Sequence, residues 1–343
     1  MTIAPLEIIG AHASPYSRKL RAVLRYRRIP FRWIVRNSKD DIATPDLPVS
    51  LIPVLVFPTE GGERSRAMVD STFQIRRLEE LFSERSVIPP DPAVALVDAL
   101  LEDYADEWLT KAMFHYRWAF APDVAKASSI LPRWGRIHAP EEKVAGLSVL
   151  FRERQVGRLG VVGSNATTAP VIEASYRRLL AVLDAQLQRH PFVMGERPGS
   201  ADFGLFGQLS QLAQFDPTSM ALALELAPRV YAWCDVMEDL SGYEVKERDW
   251  TARDEAPEAL RGLLSEAGRT YAPFLVANAA ALERRDAQVS CMIDGGPWTQ
   301  KPFPYQGKCL SWLREGRAAL SEADRAWVDE LLAGTGCEVL FKA

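Results

Sequence analysis

The order in which side-chain periodicity changes along residues 6–86 narrows the possible folds more than any single motif. "LEIIG" (6–10) is short and β-branched and predicts a strand. From Ser17 the period becomes helical. Leu20, Val23 and Leu24 share one face, and Arg18, Lys19, Arg21, Arg25 and Arg28 fill most of the rest. "IPFRWIVR" (29–36) alternates and predicts a second strand, followed by a polar, proline-broken loop over 37–48. "LIPVLVFP" (51–58) is an apolar run with Pro53 inside it. Proline cannot donate to a central ladder, so Pro53 is expected to open the strand, in one reading through a cis peptide bond after Ile52. Gly61 and Gly62 suit a hairpin turn, and "RAMVD" gives a fourth strand. Asp70 and Ser71 then offer acceptors at the start of a helix whose apolar face is Ile75, Leu78, Leu81 and Phe82. The expected order is β-α-β, loop, β-β-α.

"IPPDPA" (88–93) predicts a linker, and beyond it the pattern is helical over about 93–120, 171–189, 201–214 and 227–240. Residues 121–170 are less regular and include the loop "LGVVGSNATTAP". The last hundred residues predict helix over about 256–285, a β-hairpin around Asp294-Gly295-Gly296, and two closing helices, the second capped by Ser321 with Asp324. The expected division is a small α/β domain (1–86), an all-α domain (93–240) and an α+β C-terminal extension (241–343).

A net charge of −4 argues against a general nucleic-acid-binding surface. The basic face of the first helix is therefore expected to be a solvated face or a subunit contact. The N-terminus does not read as a signal peptide, and no apolar run is long enough to span a bilayer. Cys234, Cys291, Cys309 and Cys337 form no C-x-x-C pair, and with four scattered histidines no zinc-site spacing arises. They are expected to be buried thiols of a cytoplasmic protein, with no metal.

The element order, a proline-led third strand and "SPYS" (14–17) opening the first helix resemble the thioredoxin fold, in which glutaredoxins place C-P-Y-C at this point. With an all-helical second domain, residues 6–240 resemble the cytosolic glutathione transferase family, serine-type and bacterial-like, carrying an unusual C-terminal extension. "SPYSRKLR" is similar to the serine-type motif, "LIPVL" to the family's proline loop, and "MVDST" to the acidic-Ser pair that grips the γ-glutamyl end of glutathione. "GERPGSADFGL" keeps Asp202 of the family's capping box but has Gly199 where a hydroxyl is usual.

The resemblance implies an enzyme that holds the thiolate of its co-substrate, glutathione, for attack on a hydrophobic electrophile, working as a homodimer. Serine cannot form a mixed disulfide, so redox exchange by the motif is excluded. Ser14 is the expected hydrogen-bond donor to sulfur, with Tyr16 or Ser17 as rivals, Ser17 lying one turn inside the helix. Alternatively Ser14 only caps the helix. Ile52, ahead of Pro53, would pair with the cysteinyl backbone, Asp70 and Ser71 with the γ-glutamyl amine and carboxylate, and Lys39 or Arg36 with the glycyl carboxylate. The plainer alternatives are that Pro53 only starts a strand and that Asp70 and Ser71 only cap a helix. Tyr104, Trp108 and His115, with Met113, Phe114 and Tyr116, would wall the electrophile site between the domains, or else pack in the core and the dimer interface. His12, two residues before Ser14, would border the site or, in the plainer reading, is an ordinary strand-end histidine. Two other outcomes are a non-catalytic binding or scaffold protein and a glutathione-dependent isomerase or lyase.

Overall fold

The computed structural model describes residues 5–44, 47, 49–58 and 64–342; the Gly61–Gly62 turn lies outside them. Strand β1 (Leu6–Gly10), buried along its whole length, is the axis of a four-stranded mixed sheet ordered β2-β1-β3-β4. It runs parallel to β2 (Phe31–Val35), with Ile8 opposite Trp33, and antiparallel to β3 (Val54–Pro58), with Ile8 opposite Leu55. β4 (Arg64–Met68) pairs antiparallel with β3. Period-two alternation sends Leu6, Ile8 and Leu55 into the main core with α1 (Pro15–Tyr26) and α2 (Ser71–Leu81). Ile9, Ile34, Val54 and Val56 form a separate cluster on the other face. The Ile52–Pro53 peptide is cis. The Gln74 amide donates to the carbonyls of Pro53 (2.9 Å) and Met68 (2.7 Å), which ties α2 to the ends of β3 and β4.

The second domain starts with a rod of α3 (Pro92–Tyr104), a π-helical turn (Ala105–Leu109) and α4 (Thr110–Ala119). Two helices, α5 (Ala121–Trp134) and α6 (Glu141–Val156), occupy a stretch expected to be irregular. α7 (Ala169–Leu187), α8 (Ser200–Leu212), α9 (Pro217–Leu226) and α10 (Pro228–Glu238) follow. Every residue of α8 is buried, and its start shows how the missing cap hydroxyl is replaced. Asp202 accepts from the Gly199 N–H (2.9 Å) and from Val193 (2.7 Å). Asp98, on α3, accepts from the Ser200 N–H (3.2 Å), the Ala201 N–H (3.0 Å) and the Ser200 hydroxyl (2.6 Å). A neighbouring helix thus supplies the N-terminal acceptor. A side chain at Gly199 would meet Asp98 Oδ1 at 2.5 Å. Asp98→Ala is expected to lower folding stability by about 2–4 kcal/mol, measured by urea unfolding, because it strands three buried donors at once.

Where α8 crosses the start of α1, a Cβ at Gly207 would lie 2.7 Å from the Pro15 carbonyl oxygen, so only glycine permits this approach. Much of the basic face of α1 is paired within the chain. Glu238, at the end of α10, takes Arg18 (2.7 Å), Arg21 (2.6 Å) and Arg25 (2.8 Å).

The last part holds α11 (Ala256–Arg269), α12 (Tyr271–Arg284), the hairpin of β5 (Val289–Ile293) and β6 (Gly296–Gln300), α13 (Pro304–Ala319) and α14 (Glu322–Leu332). The single helical pattern over 256–285 is two helices, broken at Thr270. Asp294 and Gly295 both have positive φ (52° and 74°), as a tight two-residue hairpin turn requires. The Ser321 hydroxyl accepts from the Asp324 N–H (3.1 Å). This part packs onto α2 and α3 rather than standing apart. Trp298 lies 5.1 Å from Trp108, Tyr271 lies 6.3 Å from Tyr104, and Trp312 lies 4.9 Å from Phe73, ring centre to ring centre. Side chains from all three parts share one continuous core. Among the described residues no helix is long and apolar enough to cross a membrane.

Candidate functional site

A cavity of about 880 Å³ opens between the two N-terminal domains. Ligand sites are commonly of this size and often lie at such junctions. Ser14, Pro15 and Tyr16 at the start of α1 line one side, with Ile52 beside them and Thr110, Met113 and Phe114 of α4 facing them. Trp118 and α6 close the far end.

Ser14 is the N-cap of α1, and its oxygen accepts from the Ser17 N–H (3.2 Å). A hydroxyl carries one donor and two acceptor lone pairs. Capping therefore uses one lone pair and leaves the O–H free to donate into the cavity, so the cap and donor roles are compatible. Pro15 has no N–H, and the α1 N-terminus presents partial positive charge to the same space. Ser17 is fully buried, outside the cavity lining, and its oxygen accepts from the Ala11 N–H (3.3 Å). The Tyr16 ring lines the cavity, but its hydroxyl donates to the Asp106 carbonyl (2.9 Å). That donor is spent. Burial, then the nearby Glu107 and Asp106 carboxylates, pushes the Tyr16 phenol upward.

Ile52 lines the cavity, and among the described residues neither of its backbone groups has a hydrogen-bond partner. Pro53 itself is buried behind it. Asp70 and Ser71 start α2 outside the cavity lining. Asp70 sits at φ 77°, strained for a residue with a Cβ, and accepts from the Thr72 N–H (3.2 Å) and from the Tyr305 hydroxyl of α13. Lys39 is exposed and away from the cavity, whereas Arg36 lines it, paired with Asp41 at 3.3 Å.

The expected aromatic wall is corrected in part. Tyr104 and Trp108 are buried against Tyr271, Phe274 and Trp298 of the C-terminal part, and the Trp108 N–H donates to Ser175 (2.7 Å). His115 is buried between Ser164 (2.8 Å) and Glu173 (3.3 Å). Tyr104 and Trp108 point away because the extension covers their face of the rod, and His115 because Ser164 and α7 cover it. Met113, Phe114 and Trp118, on the opposite face, do line the cavity. His12 lines it too, between the rings of Trp33 (5.6 Å) and Trp134 (5.5 Å). Burial, then Arg21 and Arg18, holds His12 below the ordinary imidazole value, and so neutral near pH 7.

Beneath the start of α1 the α3 rod carries a buried ionic network. Lys19 meets Glu102 at 2.6 Å and also contacts Asp106, with no exposed side-chain surface of its own. Burial opposes its charge, but Asp106 and Glu102 outweigh that and hold its pKa above the ordinary lysine value. Among the described residues no cluster of three or more histidine, cysteine or acidic side chains is placed to hold a metal ion.

Against this geometry, the N-terminal domain model of glutathione S-transferase matches residues 8–86, and the C-terminal domain model matches residues 152–235. These two segments belong to the glutathione S-transferase family. No curated protein matches the chain. Solved structures similar to it include a glutathione S-transferase of Methylobacterium radiotolerans in complex with glutathione sulfonate. That one is 16% identical, with 68% of this chain and 91% of that one covered and a TM-score of 0.41. A rice glutathione S-transferase in complex with glutathione is 18% identical, with 71% and 93% covered and a TM-score of 0.42. The Tau class enzyme of mango is 19% identical, with 71% and 94% covered and a TM-score of 0.40. The glutathione S-transferase part of the chain ends before α11, so the helices and hairpin over Tyr104 and Trp108 lie beyond the matched segments.

The cavity wall that sequence reasoning missed is α6. Leu147, Phe151 and Arg154 of α6, with Arg158 just beyond it, recur at spacings of three and four, which is a helical signal. Arginines fall on the same face as the apolar residues, so the usual amphipathic contrast cancels.

Proposed function

We propose that the protein is a glutathione transferase that holds glutathione as its thiolate and directs it at an apolar electrophile. The observation that carries this reading is the placement of Ser14, at the α1 N-terminus, on the same cavity as the Ile52 backbone; among the described residues neither the Ser14 O–H nor that backbone has a partner for donation or pairing. An extended cysteinyl backbone at Ile52 would pair as an added strand and put its sulfur within reach of Ser14. A thiol with pKa about 8.5 is ionised to a few per cent near neutrality. Lowering that by about two units stabilises the anion by roughly 2.7 kcal/mol, within reach of one charge-assisted hydrogen bond and a helix terminus. The thiolate attacks the electrophilic carbon, a carbon–sulfur bond forms, and the leaving group departs with its electron pair.

Ser14→Ala is expected to lower kcat/KM toward 1-chloro-2,4-dinitrobenzene about 10–100-fold at pH 6.5, with the gap narrowing as pH approaches the free thiol's range. Alanine also removes the cap, so Ser14→Gly, which keeps most of the capping, serves as the fold control. An unchanged rate in both variants would remove Ser14 from the mechanism. Retention on glutathione-agarose, with a thermal shift at millimolar glutathione, is the binding test.

A second reading is favoured by the Tyr305–Asp70 contact. Asp70 is the residue expected to take the γ-glutamyl amine, and α13 already supplies it with a donor. A binding or scaffold protein that kept the fold and lost turnover would show this arrangement. It would flow through glutathione-agarose and conjugate nothing.

A further inference from the structure

The lining of the cavity is of two kinds. Met113, Trp118, Leu147, Leu150 and Phe151 make it apolar, with Trp118 and Phe151 ring centres 5.8 Å apart. Set into the same lining are Arg136, just past α5, Arg154 on α6 and Arg158 just past α6. Among the described residues no aspartate or glutamate lines the cavity, and these three guanidinium groups make no ion pair. The contrast with the other two arginines there is informative. Arg117 is consumed by Asp216, Gln211 and the Ala13 carbonyl, and Arg36 is paired with Asp41. A solvated surface helix of this composition would ordinarily turn its arginines away from its leucines. Here Leu147, Phe151, Arg154 and Arg158 follow one another at spacings of four, three and four, so the cations border the apolar pocket.

We propose that this subsite binds an apolar, anionic co-substrate: an aromatic or aliphatic electrophile bearing a carboxylate or sulfonate, its hydrocarbon body against Trp118 and Phe151 and its charge among Arg136, Arg154 and Arg158. The inference rests on the transferase reading for the word co-substrate, but not for the binding chemistry. Planar guanidinium groups pair with carboxylate and sulfonate oxygens, and cations with no fixed counter-charge draw anions into a cleft. Partial exposure of the three makes the attraction salt-sensitive.

Two probe pairs test it on the full chain. In binding, 8-anilinonaphthalene-1-sulfonate is compared with its neutral relative N-phenyl-1-naphthylamine by fluorescence titration. In turnover, 4-chloro-3-nitrobenzoate is compared with its methyl ester. There glutathione sulfur bonds to C4 and chloride leaves with the bonding pair. The wild type is expected to bind the sulfonate about 10-fold or more tightly than the neutral probe and to prefer the acid to the ester in kcat/KM. In Arg136→Gln/Arg154→Gln/Arg158→Gln the sulfonate should weaken about 30-fold, with the neutral probe within about 3-fold and glutathione affinity unchanged. High salt should shrink the preference in the wild type. Equal binding of the two naphthalenes, or a triple variant that keeps its sulfonate affinity, overturns the proposal. If neither chlorinated compound is conjugated while the charge preference persists and follows the arginines, the anionic pocket stands and the transferase reading falls.

Discussion

Lys19→Met is expected to cost about 3–5 kcal/mol of folding stability. The side chain of Lys19 is completely buried, as is nearly all of Glu102 and most of Asp106. Thr72 bridges the set, 3.4 Å from Lys19 Nζ and 3.1 Å from Glu102. Methionine fills a similar volume, so the loss is electrostatic rather than a cavity. Two carboxylates are left without their cation in a space where Asp98, Asp103 and Glu107 are also buried or nearly so. Lys19→Met/Glu102→Gln/Asp106→Asn should recover at least half of the loss, because replacing a whole buried ion set is far cheaper than breaking it. Urea unfolding at pH 7 reads both numbers. A cost under about 1 kcal/mol for Lys19→Met would mean that water reaches these carboxylates and that the network does not join α1 to α3.

Stability should fall as pH rises from 5 to 7.5, the reverse of the usual acid-side behaviour. Burial, then the Lys19-opposed repulsion among neighbouring acids, lifts the carboxyls on the α3 rod. Asp106 is raised to about 6, Asp103 to about 7 and Glu107 to about 8. In the unfolded chain the same groups titrate near 4. Between these limits the folded protein binds more protons than the unfolded one, so raising pH favours unfolding. The contribution is complete below about pH 4 and lost as pH climbs through 6 to 8. Lys111 acts in the opposite sense, since burial lowers it to about 7, so its contribution grows above neutrality. Glu7 and Glu238, held down by arginines against burial, set the ordinary loss at acid pH. The expected maximum is near pH 5, with several degrees of Tm lost by pH 7.5. Asp103→Asn, which keeps a neutral partner for the Tyr271 hydroxyl, should flatten the slope visibly. A Tm that is flat or rising over this range would show that the acids are ionised at neutrality.

The first domain was legible because its signals are local. Strand alternation in "LEIIG", the Pro53 break and the start of a helix at Ser14 each concern a few neighbouring residues. Of the expected site residues, Ser14, Tyr16, Ile52 and Phe114 line one cavity. The α3 rod was harder. Spacing shows that Tyr104 and Trp108 lie on one face, but not what covers that face, and the answer comes from Tyr271 and Trp298. "VDALLEDYADEWL" has acids where a surface helix would put them. They are buried because Lys19, Ser200, Tyr271 and Gln306 arrive from elsewhere in the chain. On α6, arginines sharing the apolar face erased the pattern that would have revealed the helix.

The Tyr305–Asp70 hydrogen bond spans 235 positions of chain. At synthesis rates of about 5–20 residues per second, the residue that completes the surroundings of Asp70 emerges roughly 10–50 s after Asp70 itself. A ribosome carrying the first two domains therefore holds them with the aromatic and acidic side of the α3 rod uncovered. The N-terminal turn of α2 reaches its final surroundings only after Tyr305 has emerged.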